Sequence, residues 1–259
     1  MLLAIDIGNT NVTVGLFRGD NLIATWRAKT DVHRQPDEYA VLLMNLLSHK
    51  GIPLAEIRKA AIASTVPPLI STFEELSREY FHVNPLVVGA GTKTGMRVLY
   101  ENPKDVGADR VVDAVAGYKL YGAPLIIVDF GTATVFDAVT KDGDYLGGAI
   151  APGIGIAAEA LFEHASKLPR IELLRPKTAI GRNTVSSMQS GLIFGYVGLI
   201  EGLVERFQRE LGGGAKVVGT GGLVGIFAKE TKVIDIVDRG LTLTGLRMLH
   251  ELNEKPGAA

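Results

Sequence analysis

The chain has 259 residues, 47% of them hydrophobic and 21% charged, with a formal net charge of -1. That length suits one large domain or two fused halves, while the composition excludes a disordered chain and the charge balance excludes an overall basic field for nucleic acid or anionic lipid. Cysteine is absent, which removes disulfides, thiolate metal ligands and a cysteine nucleophile, and is compatible with a reducing cytoplasm.

The amino terminus reaches a carboxylate at Asp6 without a basic start, so no signal peptide is expected. No uninterrupted apolar run approaches the roughly 20 residues that span a bilayer, so a soluble protein without a membrane partner is expected. Leu3–Ile7 reads as a strand ending in Asp6-x-Gly8, followed by polar Asn9-Thr10-Asn11 and a second strand to Phe17. Arg18-Gly19-Asp20-Asn21 is a turn, because Gly beside Asp or Asn tolerates positive φ, and a third strand covers 22–28. Pro36 opens a helix over 36–50 that carries Tyr39, Leu42, Leu43, Leu46 and Leu47 at helical spacing. A buried strand at 59–64, a helix at 69–82 and a strand at 85–88 follow. Gly89-Ala90-Gly91-Thr92-Lys93-Thr94 imitates a P-loop, but Thr92 stands where Gly should precede the lysine and no helix follows, so a turn is predicted. An apolar helical stretch then runs from Val111 to Tyr121.

The second half begins as the first did. Ile126-Ile127-Val128-Asp129-Phe130-Gly131-Thr132-Ala133-Thr134-Val135 repeats the strand, Asp-x-Gly and polar loop, and its second strand runs to Thr140. A turn at Lys141-Asp142-Gly143-Asp144 leads to a third strand at 145–151. Helices are predicted within 154–165, across 184–211 and within 240–253, with a strand at 215–219. Alternating strands and helices imply mixed sheets covered on both faces. Tyr121-Gly122-Ala123-Pro124 marks the expected boundary, giving halves at 1–121 and 122–259 with a cleft between them.

Asp6 at a strand end can hold Mg²⁺ directly or through water, Gly8 lets backbone N–H groups approach phosphate oxygens, and Asn9, Thr10 and Asn11 add neutral donors. One copy of this motif reads equally as an Asx-rich hairpin turn; the second copy at Asp129–Thr134 favours phosphate gripping. Ahead of the helix at Val111, Gly107-Ala108-Asp109-Arg110 offers a carboxylate that could accept a hydroxyl proton and a guanidinium that could clamp a carboxylate or phosphate. Taken alone, the pair reads as a helix N-terminal Asp beside an exposed Arg. Val217-Val218-Gly219-Thr220-Gly221-Gly222 alone reads as a strand-to-helix turn. The five histidines show no ligand spacing, so no zinc site is expected.

Asp6-Ile7-Gly8-Asn9-Thr10-Asn11, Gly107-Ala108-Asp109-Arg110 and Asp129-Phe130-Gly131-Thr132-Ala133, in this order and spacing, resemble the motif set of type III pantothenate kinases. The likeness extends over nearly the whole chain, including Gly219-Thr220-Gly221-Gly222 and Leu241-Thr242-Leu243-Thr244-Gly245-Leu246. It implies an α/β fold of the duplicated actin-like, ribonuclease H-like kind. It also implies ATP-dependent phosphorylation of pantothenate to 4'-phosphopantothenate, the first step of coenzyme A biosynthesis. By this resemblance, ATP phosphates with Mg²⁺ lie on Asp6, Ile7, Gly8, Asn9, Thr10, Asn11, Val12 and Thr13, and ATP also meets Thr132. Pantothenate lies on Tyr100, Gly107, Ala108, Asp109, Arg110 and Thr184, with Asp109 as proton acceptor. Asp129 takes K⁺ or NH₄⁺, the 219–222 glycines face adenosine, and the protein is a homodimer. The competing readings are a sugar or acetate kinase or phosphatase of the same superfamily, and a non-enzymatic transcriptional accessory factor. Near-neutral charge and the intact motif set argue against the last, and no nucleic-acid partner is expected.

Overall fold

A computed structural model describes residues 1–254. It resolves into two compact units, one formed by Met1–Ala116 with the segment from Gly240, the other by Gly117–Arg239.

In the first unit, β1 (Leu2–Ile7), β2 (Asn11–Arg18) and β3 (Asn21–Lys29) form an antiparallel meander, while β4 (Lys59–Ser64) and β5 (Leu86–Val87) run parallel to β1, in the order β3-β2-β1-β4-β5. β1 and β4 are near-continuous apolar runs because both their faces are covered. On one face Leu3, Ile5 and Ile7 meet Tyr39, Leu43 and Leu47 of α1 (Pro36–His49) and Leu69, Phe73 and Leu76 of α2 (Pro67–Phe81). Gln35 and Glu38 form a reciprocal capping box at the start of α1. α2 begins earlier than the spacing predicts because Pro67 opens its first turn, where a missing N–H costs nothing. The expected strand at 85–88 shrinks to Leu86–Val87. The P-loop look-alike is a turn in which the Thr92 N–H donates to the Gly89 carbonyl at 3.1 Å. α3 (Ala108–Tyr121) spans the division between the units.

The second unit repeats the plan. β6 (Leu125–Phe130), β7 (Ala133–Val139) and β8 (Tyr145–Pro152) form the meander, followed by α4 (Ile154–His164), α5 (Thr184–Glu210), β9 (Lys216–Thr220), α6 (Val224–Phe227) and β10 (Ile236–Val237). The sheet order β10-β9-β6-β7-β8 is that of the first unit read from the other edge. α6 and β10 are too short to leave a periodic signal in sequence.

Register refines the repeat. Asp6 pairs with Thr13 and Ala63, and Asp129 with Val135 and Thr220. Ile7 pairs with Val12 across residues 8–11, whereas Phe130 pairs with Thr134 across residues 131–133. The second loop is therefore one residue shorter, and aligning the two motifs letter by letter goes out of step after it.

The last helix corrects the expected division at 121/122. α7 (Leu241–Asn253) sends Leu243, Leu246 and Leu249 into a core with Leu2, Ala4, Phe17, Ala61 and Ala63, all of the first unit. Arg247 pairs with Asp20 at 2.6 Å. The division also falls at Ala116/Gly117, inside α3, rather than after Tyr121. The second face of β1 and β4 needs apolar cover, and α7 shares that face with Val112 and Val115 of α3. Among the described residues, α5 is long and apolar enough, by length and composition, to cross a membrane, at a mean hydropathy of 1.2. Its apolar residues are interrupted by Gly191, Gly195, Gly198 and Gly202, and it buries Met188, Leu192, Ile193, Ile200 and Val204 within the second unit.

Candidate active site

Each Asp-x-Gly hairpin is closed by its own backbone. The Gly8 N–H donates to the Asn11 carbonyl at 3.0 Å, and just beyond β3 the Thr30 N–H donates to the Thr10 carbonyl at 3.0 Å while its hydroxyl donates to the Gly8 carbonyl at 2.6 Å. In the second unit the Gly131 N–H donates to the Ala133 carbonyl, and just beyond β8 the Gly153 N–H donates to the Thr132 carbonyl, both at 3.0 Å. With these carbonyls engaged internally, Asn9, Thr10 and Asn11 stand exposed at one tip and Thr132 at the other, while Asp6 and Asp129 are half-buried below them. Ile7 and Val12 are core residues, so only their backbone is left for a ligand; Thr13 is half-buried. Thr30 belongs to this loop, although its place after a surface strand gave no motif to find it by.

Asp109 lies in the first turn of α3 and is half-buried. Its Oδ1 accepts the Arg110 N–H at 2.9 Å. A Cβ on Gly107 would come within 2.5 Å of that same oxygen, so glycine is what lets the carboxylate fold back over the helix start. Burial pushes the Asp109 carboxyl above its ordinary range, against the opposing pull of the Arg110 N–H, the Arg110 guanidinium and its own N–H. Arg110 is 8% exposed, which overturns the picture of an Asp beside an exposed Arg. Asp113, one turn further along the same face, is 3% exposed. Sequence reasoning passed over Asp113, and its signal was a carboxylate set inside the apolar run Val111-Val112-Asp113-Ala114-Val115.

Tyr100 is half-buried in the irregular segment before a 3-10 turn at Pro103–Asp105. Thr184 is exposed at the start of α5, just after Asn183, whose side chain caps the helix through the Ser186 N–H. The first unit thus carries Asp6 to Thr13, Tyr100 and 107–110, and the second carries Asp129, Thr132, Thr184 and 219–222. The glycine cluster is not uniform. Gly219 is a buried strand residue whose missing side chain makes room for Val224 and Ile234, whereas Gly221 lies against Asp129.

Among the described residues no group of three or more His, Asp or Glu side chains could hold a metal ion. Asp6 is instead a single carboxylate at a strand end beside a glycine turn. That donor set fits Mg²⁺, which keeps several waters and arrives on nucleotide phosphates rather than in an all-protein cage.

The sequence profile of the type III pantothenate kinase family matches residues 2–206. Type III pantothenate kinases of Myxococcus xanthus and of an Anaeromyxobacter species are 53% and 54% identical over 253 residues, covering 98% of this chain and 99% and 100% of theirs. The chain belongs to the type III pantothenate kinase family. Membership of that family makes it a phosphotransferase that uses ATP and a divalent metal. Among solved structures, a Baf family protein of Campylobacter jejuni matches at a TM-score of 0.64 and 18% identity, covering 97% of this chain and 98% of that one. A polyphosphate/ATP-glucomannokinase of an Arthrobacter species matches at 0.52 and 12%, covering 98% and 99%. At such identities these likenesses speak for the fold, the duplicated actin-like architecture that the kinases of this family share with sugar kinases.

Proposed function

We propose that Asp109 is the proton acceptor in the transfer of the γ-phosphoryl group of ATP to the primary alcohol of pantothenate, which gives 4'-phosphopantothenate and opens coenzyme A biosynthesis. Near full-length similarity to type III pantothenate kinases carries the activity. The half-buried Asp109 carboxyl, raised by burial beside the buried Arg110, carries the assignment of the base. As the hydroxyl oxygen bonds to the γ-phosphorus, the bond to the bridging oxygen of the leaving ADP breaks and the hydroxyl proton passes to Asp109. A raised carboxyl is a stronger base than an exposed one. Arg110 would pair with the pantothenate carboxylate or with charge on the transferring group. Donors on Asn9, Thr10, Asn11 and Thr132 would meet phosphate oxygens, and Asp6 would hold Mg²⁺, which when bound neutralises phosphate charge. Asp129 would hold K⁺ or NH₄⁺, since a carboxylate with nearby backbone carbonyls supplies the oxygen ligands a hard cation takes. Tyr100, Gly107, Ala108 and Thr184 are assigned to pantothenate by the family's pattern. The exposed glycine face of α5 is proposed as the seam of a homodimer, and the cytoplasm as its location. An ATP-dependent phosphorylation assay across pantothenate, sugars and acetate, in K⁺ and in Na⁺ alone, tests the reading. Pantothenate alone should be phosphorylated, and only with K⁺ or NH₄⁺; turnover of a sugar or of acetate in its place would overturn it.

A further inference from the structure

Because the two units share one strand order, the surroundings of Asp129 have counterparts around Asp6. Asp6 lies beside Ala63 in β4, and Asp129 beside Thr220 in β9, so Ser64 and Gly221 are equivalent positions. They behave differently. Ser64 continues its strand in register with Ile7, and the next residue, Thr65, donates its N–H to the Ile7 carbonyl at 3.0 Å. β9 stops at Thr220, Gly221 turns at a φ of +87°, and it is Leu223 whose N–H reaches the Phe130 carbonyl, at 3.2 Å. The turn drops the Gly221 backbone onto the end of β6. A Cβ there would fall 2.7 Å from both N and O of Phe130, and closer still to Asp129 Oδ1. On the other side, a Cβ on Gly131 would sit 3.5 Å from Asp129 Oδ2. Both oxygens of this carboxylate therefore face glycine backbone.

We propose that Gly221 is a positioning residue for Asp129, whose side-chain-free turn lets the backbone close over the end of β6 and hold the carboxylate in the orientation in which it takes a monovalent cation. The proposal rests on the assignment of that cation to Asp129. A large monovalent ion gives up its water for several protein oxygens, so the carboxylate must be held in register with the carbonyls around it, each of which keeps a second lone pair beyond its backbone hydrogen bond; Mg²⁺ at Asp6 keeps its waters and needs no such turn. The difference between Ser64 and Gly221 follows the difference between the two ions.

Gly221→Ala tests it through the K⁺-dependent rise in thermal midpoint at constant ionic strength, together with the K⁺ concentration for half-maximal activity and the KM for ATP. Both K⁺ measures should weaken roughly tenfold, about 1.4 kcal/mol, with the KM for ATP nearly unchanged. Gly212→Ala is the control for backbone strain, since Gly212 has a φ of +83° in open space; it should lower the midpoint without touching the K⁺ response. Should Gly221→Ala fail to fold, Gly131→Ala decides, because its methyl makes only ordinary contacts, at 3.5 Å to the same carboxylate and 3.6 Å to the Ala133 carbonyl, and replaces glycine backbone beside that carboxylate with an apolar group. It should weaken the K⁺ response several-fold. A wild-type K⁺ response in Gly131→Ala, and in Gly221→Ala where it folds, overturns the proposal, as does a raised KM for ATP with unaltered K⁺ binding. Asp129→Asn separates the two layers. If that variant keeps its K⁺ response, the cation assignment falls; if it loses the response while the glycine variants keep theirs, the positioning role alone falls.

Discussion

Asp109 has its carboxyl pushed above the ordinary value of 3.8 by burial, so the folded protein holds that proton more tightly than the unfolded chain does. Its contribution to stability is therefore present in full below the ordinary Asp value and lost as pH rises through the raised one. Asp109→Asn removes that loss. Its thermal midpoint should exceed that of the wild type near neutral pH, and the gap should close on acidification, as calorimetry across the acid range would record. The same substitution removes the proposed proton acceptor, so turnover should fall by roughly 10² or more; a folded Asp109→Asn protein with near-normal turnover would end the base assignment. Gly107→Ala probes the same carboxylate from outside. Its methyl would lie 2.5 Å from Oδ1, and since the obstacle is a side-chain end, the carboxylate rotates away rather than the fold giving way. Turnover should drop about tenfold or more while the thermal midpoint barely moves, because small displacements of a reacting group are costly to rate.

At the scale of elements, α7 is where sequence distance misleads most. Its apolar spacing announces a helix, but nothing in that spacing says that Leu243, Leu246 and Leu249 cover β1 and β4, at the far end of a chain of 259. Leu246 is fully buried there, and Leu246→Ala should cost about 2–5 kcal/mol in urea unfolding. A chain ended at Arg239 would leave Leu2, Ala4, Ala61 and Ala63 without that cover and should be recovered as aggregate; a soluble, folded product would refute the place given to α7. β1, β2 and β3 were legible as a unit because tight turns with Gly19 at a φ of +59° have a local chemistry. α6 and β10 were not, since an element of a few residues owes its existence to the neighbours it packs against.

Over the whole molecule, the open face of α5 gives the proposed homodimer its test. Gly195 and Gly198 are exposed, and a Cβ at either would meet nothing within 4 Å, so Gly198→Arg fits the isolated subunit and even favours its helix. Sedimentation should then move from dimer to monomer; a persistent dimer would place the seam elsewhere. The duplicated plan, the two Asp-x-Gly loops and the Gly107–Arg110 motif were readable from residue order, because strand alternation, turn glycines and loop carboxylates act over a few neighbours. The burial of Arg110 and Asp113, the raised carboxyl of Asp109, the shorter second loop, the packing role of Gly219 and the contact of Gly221 with Asp129 were settled only by folding. Each depends on desolvation or on close approach between segments far apart in the chain, and a string of residues carries neither quantity until the strands have found their partners.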